Sequence, residues 1–315
     1  MLNKKTFAML GSMGCLVPAL STAAQIGSVT FDGFADVIYT MVDNTVDGAN
    51  SDENRFVTSG EIDLATPVDE GIDVRFDLDL NPSGDGDSAR FEQAYINWML
   101  APQWTLKGGV FNNRLAWESE DAPDLYQISH GQLYEIWNAE TSRLSGNNVA
   151  GVELGFTFDQ IKLYAGLLND LRNVPEEASF ELAAEIQPLP NLNLVAGMIT
   201  EDQGAETLFD VHGTWRWTQL LLGAEMLFAG EIYDLAFGFT ANYAFTERLS
   251  GTVRYDFVSY DQNNIDETAS LTFAALCSVR EHVFLNGEVR LNQDDNRVPI
   301  IGDGAIVAVE LLATF

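Results

Sequence analysis

Between Ile72 and Leu80 the chain reads Ile-Asp-Val-Arg-Phe-Asp-Leu-Asp-Leu, apolar at every even position and charged at every odd one. A period of two places the two sets on opposite faces of one extended strand. The pattern recurs along the chain. Phe180, Leu182, Ala184 and Ile186 stand against Glu181 and Glu185, and Phe209, Val211, Gly213, Trp215 and Trp217 against Asp210, His212, Thr214 and Arg216. Leu249, Gly251, Val253, Tyr255 and Phe257 oppose Thr252, Arg254 and Asp256. At the end, Ala305, Val307, Val309, Leu311, Ala313 and Phe315 oppose Glu310 and Thr314.

A soluble β-sandwich also alternates, so length and flanks must decide. The alternating runs reach 10 to 12 residues, the span of a tilted bilayer crossing and about twice an ordinary strand. Their apolar faces carry Tyr39, Trp98, Trp104, Trp217, Tyr243 and Tyr255 near the ends, as membrane-interface girdles do. No run of 18 apolar residues follows the N-terminal segment, so no transmembrane helix is expected. The reading is all-β: a transmembrane antiparallel β-barrel.

Strands are expected at 28–42, 54–66, 70–80, 89–100, 103–112, 148–158, 160–168, 177–187, 191–200, 207–217, 219–228, 233–245, 248–258, 266–276, 283–292 and 305–315. They number sixteen, an even count as in single-chain bacterial barrels. Short connections such as Ala101-Pro102, Asp159 and Thr218 alternate with longer polar ones. Periplasmic turns and extracellular loops differ in this way. Sixteen strands leave an aqueous channel rather than a filled interior. The third of the long connections, Asn113–Asn147, is the longest at 35 residues. In this it resembles general porins, whose third loop folds into the lumen.

The ends and the composition agree with export. Lys4 and Lys5 precede an apolar run, Phe7–Leu20, and then Ser21-Thr22-Ala23-Ala24. This is the layout of a secretory signal peptide, expected at 1–24, with the barrel at 25–315 and Sec-dependent delivery to the outer membrane. Without Lys4 and Lys5, 14 basic residues face 47 acidic ones, a net charge of −33. That excludes nucleic acid, since nothing would neutralise its phosphates. A hydrophobic content of 46% excludes a disordered acidic chain. Cys277 is then the only cysteine, so no internal disulfide is expected.

A pore needs a constriction whose width and charge sort solutes. The long connection carries Glu118, Glu120, Asp121 and Asp124, with Arg114 beside them. Inward strand positions carry Arg75, Lys107, Arg216, Arg254 and Arg290. An acidic loop against a basic wall would set a transverse field across the narrowest point. The negative excess predicts preference for cations. The expected partners are small hydrophilic solutes, outer-membrane lipid and lipopolysaccharide. Val149–Phe158 and Leu235–Phe245 suit either lipid or a neighbour in a homotrimer.

Local sequence adds a resemblance. Ala94–Phe111 reads A-Y-I-N-W-M-L-A-P-Q-W-T-L-K-G-G-V-F, and Trp117–Ser129 reads W-E-S-E-D-A-P-D-L-Y-Q-I-S. Together they resemble the strand–strand–loop block of the OmpL-like β-barrel porin family. There a G-x-F strand leads into an acidic loop with an E-S-x-D-A-P-D core. The family implies passive diffusion without cofactors. This chain departs from it at Val110-Phe111-Asn112, where a basic R-F step is expected.

Other classes fit less well. Barrel hydrolases need a Ser/His or Asp/His constellation. The histidines here are only His130, His212 and His282, and no G-x-S-x-G occurs. Those three are too scattered for a histidine metal cluster, so no metal is expected. Asp79–Asp87 opens like a calcium loop, but its twelfth position is Arg90 rather than Glu. A substrate-specific channel, for sugars or acidic oligomers, is an alternative: Trp117, Tyr126, Tyr134 and Trp137 would suit it if they stack on sugar rings, or a pinned loop if they pack on the wall. A plugged structural or adhesive barrel is the remaining alternative.

Overall fold

On the strand Ile72–Leu80, Phe76 faces outward, 42% exposed, beside a fully buried Asp77 on the inner wall. The same inversion of soluble-protein burial holds elsewhere. Leu182 is 54% exposed and its neighbour Glu181 only 1%. The apolar face meets lipid, and the polar face lines the interior.

The computed structural model describes residues 24–26, 28–46, 49–50, 53–81, 89–140, 147–171, 177–201, 206–229, 233–260, 267–294 and 303–315. Sixteen long strands form the wall. They are β1 Val29–Val46, β2 Glu53–Asp69, β3 Ile72–Leu80, β4 Ala89–Ala101, β5 Trp104–Asn112, β6 Asn148–Phe158, β7 Ile161–Asn169 and β8 Ala178–Leu189. There follow β9 Leu192–Glu201, β10 Glu206–Trp217, β11 Leu220–Ala229, β12 Tyr233–Ala244, β13 Leu249–Tyr260, β14 Thr268–Arg280, β15 Val283–Asp294 and β16 Asp303–Thr314. Two short pieces, Ala24–Ile26 and Ala49–Asn50, pair onto β1. Every strand is antiparallel to its neighbours, and β16 pairs with β1 from Asp303↔Thr45 to Thr314↔Phe34. The sheet closes on itself, which removes both edges. No helix among the described residues is long and apolar enough to cross a membrane.

The expected strand count holds and most bounds fall within a few residues. Pro67–Asp69, left between the strands expected at 54–66 and 70–80, instead continues β2 through a register shift between Pro67 and Asp69. A bulge accommodates the missing proline N–H. The turn is Glu70-Gly71, where Gly71 adopts φ 73°, a conformation that favours glycine. The expected leader lies outside the described residues, apart from Ala24. So do residues 82–88 of the calcium-like loop.

Between β5 and β6 the described residues form a 3-10 turn, Ala122–Asp124, and a helix, α1, Gln132–Glu140. Leu133, Ile136 and Trp137 share a face of α1 at helical spacing. They pack into a buried apolar cluster with Val149, Leu168, Ile199, Leu208, Leu227, Ala236 and Val258. Those partners are inward-facing residues from seven strands, mostly toward the ends that bear the longer connections. Each fully buried Leu or Ile contributes roughly 1.5–3 kcal/mol, so burial on the inner wall holds the helix there.

Candidate functional site

The segment Asn113–Glu140 meets inner-wall residues on many strands. At its root Asn113 N donates to Asn147 O at 2.9 Å. Arg114 forms a two-pronged pair with Glu153 of β6, Nε–Oε2 2.5 Å and Nη2–Oε1 2.8 Å. Its guanidinium lies 3.7 Å above the Tyr164 ring. Trp117 covers Gly223 of β11 so closely that a Cβ there would collide with its indole.

Glu118 is turned into the segment itself. Its Oε1 accepts Gly131 N at 2.8 Å and meets His130 Nδ1 at 2.8 Å. Its Oε2 accepts Gln127 Nε2 at 3.0 Å and faces Arg254 Nη1 at 3.4 Å. Burial pushes this carboxyl up, but Arg254, His130 and the Gly131 N–H outweigh it and hold it below the ordinary range.

Arg254 and Arg290 hold the backbone. Arg254 donates to the carbonyls of Ser129 (2.7 Å) and His130 (3.0 Å), and Arg290 Nη1 donates to His130 O at 3.0 Å. Glu288 accepts from the N–H groups of Ile128 and Ser129 at 2.7 and 3.0 Å. Thr252 Oγ1 donates to Tyr126 O, and Arg216 Nη2 donates to the Tyr126 hydroxyl at 3.4 Å. These wall groups all lie on β10, β13 and β15.

On the other side a cavity of about 410 Å³ stays open. Its lining brings together Arg75 of β3, Lys107 of β5, Arg114, Asp121 and Asp124, with Tyr95 and Tyr164. Arg75 also pairs with Asp77 at 2.7 Å and Asp63 at 3.4 Å. The Lys107 ammonium sits over the Tyr95 and Phe111 rings at 5.0 and 5.2 Å. Asp121 has a carboxylate oxygen within 4.8 Å of Glu61 and Glu92. Partial desolvation inside the barrel pushes the Asp124 carboxyl up although the residue is open to the cavity, with Asp121 adding to it, and desolvation raises Glu120 as well.

The ten residues singled out in the sequence therefore divide. Arg75, Lys107, Arg114, Asp121 and Asp124 share one cavity. Glu118, Arg216, Arg254 and Arg290 make the contacts that hold the segment. Glu120 is half-buried, with its Oε2 enclosed, near Asp79, Glu92 and Asp121. Glu153 and Glu288 anchor the segment and were not singled out. Both are buried on the inner wall, but nothing local in the sequence tells which inward residues the distant segment meets.

Known structures carry the same architecture. OmpF of Salmonella typhi, in complex with daunomycin, superposes with a TM-score of 0.72 at 12% identity, covering 91% of this chain and 98% of that one. The fold is that of an outer-membrane porin barrel. The outer membrane channel DcaP of Acinetobacter baumannii gives 0.67 at 13% identity, covering 91% and 97%. OmpT of Vibrio cholerae, an outer membrane protein seen in a trimer form, gives 0.61 at 12% identity, covering 92% and 100%. No family model matches the chain. No curated protein matches it in sequence.

Proposed function

We propose that the chain is an outer-membrane porin that passes small hydrophilic solutes and ions by diffusion, with preference for cations. The observation that carries this reading is the open cavity whose lining includes both Asp121 and Asp124 and Arg75, Lys107 and Arg114. Charges of both signs lining an aqueous cavity favour polar and charged solutes and disfavour apolar ones. The excess of acid, a formal net charge of −31, favours cations in a low-dielectric channel.

On this reading Asn113–Asn147 is the third extracellular loop, and residues 1–24 direct Sec export. The aromatics support a pinned loop over a sugar-stacking one, because Trp137 is fully buried and Tyr134 nearly so. The trimer form of the similar OmpT supports a homotrimer, with lipopolysaccharide around it.

The test is single-channel conductance of the purified mature chain in a planar bilayer under a salt gradient. Steady ohmic steps with a cation-selective reversal potential are expected. A protein that inserts but never conducts overturns the reading in favour of a plugged barrel.

A further inference from the structure

Asp210 and His212 stand two apart on β10 and so share its inner face, and Glu225 lies directly across the β10–β11 ladder from His212. All three are buried, Asp210 completely. One ligand atom of each lies within 4.8 Å of the other two. A common centre is then within about 2.8 Å of all three, under an ångström beyond the ~2.0–2.2 Å of a zinc bond to nitrogen or oxygen.

The hydrogen bonding is incomplete in a telling way. Asp210 Oδ1 meets His212 Nδ1 at 2.6 Å, and Trp137 Nε1 donates to Glu225 Oε1 at 3.3 Å. Asp210 Oδ2 is buried with no N–H or hydroxyl donor on it, and the Asp210 carboxyl lies against that of Glu225. Among the described residues, no Arg or Lys forms an ion pair with Asp210 or Glu225. Buried together without Arg or Lys, two carboxyls and an imidazole must either hold protons or share a cation, and one divalent cation supplies the whole countercharge.

We propose that Asp210, His212 and Glu225 bind one divalent first-row transition ion of the Zn²⁺ class. The mixed nitrogen and oxygen donor set suits such an ion. Calcium and magnesium prefer oxygen ligands alone. Trp137 then acts as the outer hydrogen-bond donor to a ligating carboxylate, and the ion ties α1 to the wall of β10 and β11. Binding displaces any proton held between Asp210 and His212, so uptake releases protons.

The test is a titration of Zn²⁺ against a chromophoric chelator, using the folded full-length mature chain in detergent after metal stripping. One Zn²⁺ per chain is expected, weakened about tenfold or more in His212→Gln and in Glu225→Gln. Glu61→Gln, which alters the all-carboxylate groups elsewhere on the wall, should leave it unchanged. X-ray absorption of the wild-type complex should show an imidazole ligand, which keeps the proposal testable if either variant fails to fold. Absence of stoichiometric binding overturns it. So does wild-type affinity in both variants, a loss confined to Glu61→Gln, or a shell of oxygen alone.

Discussion

Arg254 Nη1 reaches the Ser129 carbonyl at 2.7 Å, so a guanidinium on the wall of β13 closes on the backbone of the segment between β5 and β6. Arg254 is only 2% exposed and also faces Asp256 and Glu118. Removing one member of a buried charge network costs about 3–5 kcal/mol. Arg254→Ala should lower the thermal midpoint by a margin readable in circular dichroism. The freed segment should also make single-channel current noisier.

Asp121 and Asp124 line the open cavity, whereas Glu118 is spent on Gly131, His130, Gln127 and Arg254. Asp121→Asn with Asp124→Asn should shift the reversal potential toward anions and leave stability nearly unchanged. Glu118→Gln should lower stability by about 1–3 kcal/mol with little change in reversal potential. Bilayer recordings paired with denaturation of both variants separate the two roles.

Acidification should act on these carboxyls in opposite directions. Asp124 is raised above its ordinary 3.8, so it loses charge before a free aspartate does. Cation preference should therefore begin to fall at a higher pH than an unperturbed carboxylate would give. For stability, a raised group favours the fold below its unfolded pKa and loses that contribution as pH rises through the folded one. Glu118 is lowered from 4.5, so its contribution is present above 4.5 and is lost as pH falls through its depressed value. Reversal potential and unfolding free energy measured from pH 7 to pH 3 should diverge accordingly.

Gly223 has no room for a side chain beneath Trp117. Gly223→Val should displace the indole at a cost of roughly 1–3 kcal/mol. Near-ultraviolet circular dichroism and tryptophan emission report the displacement. An unchanged spectrum would mean that Trp117 does not rest there.

Val253 faces outward at 42% exposure and Thr252 inward at 3%. Val253→Lys should destabilise the inserted barrel by up to about 2–4 kcal/mol if the site is near the midplane. Refolding into vesicles under a urea series gives the value. A neutral result would place β13 outside the hydrocarbon layer.

The wall was legible because strand alternation is a local property, complete within a run such as Ile72–Leu80. The candidate site was legible only by composition. Inward Arg75 and inward Arg254 look alike in sequence, yet one lines the cavity and the other clasps a carbonyl. What separates them is the path of Asn113–Glu140, set by where Leu133, Ile136 and Trp137 find buried apolar partners. His212 and Glu225 illustrate the same limit. They face each other through the pairing register of β10 and β11, which a search for neighbouring histidines does not see.

The pairing of Thr314 with Phe34 has a kinetic consequence. Neighbouring hairpins such as β6–β7 form across two residues, but the seam joins the two extremes of the wall. Entropy makes such a contact slow to find. Until it forms, β1 and β16 each present unpaired backbone groups that hydrocarbon does not solvate. Refolding should therefore end on a slow phase in which seam closure and full insertion occur together. A chain stalled before that step carries two exposed strand edges suited to joining another copy.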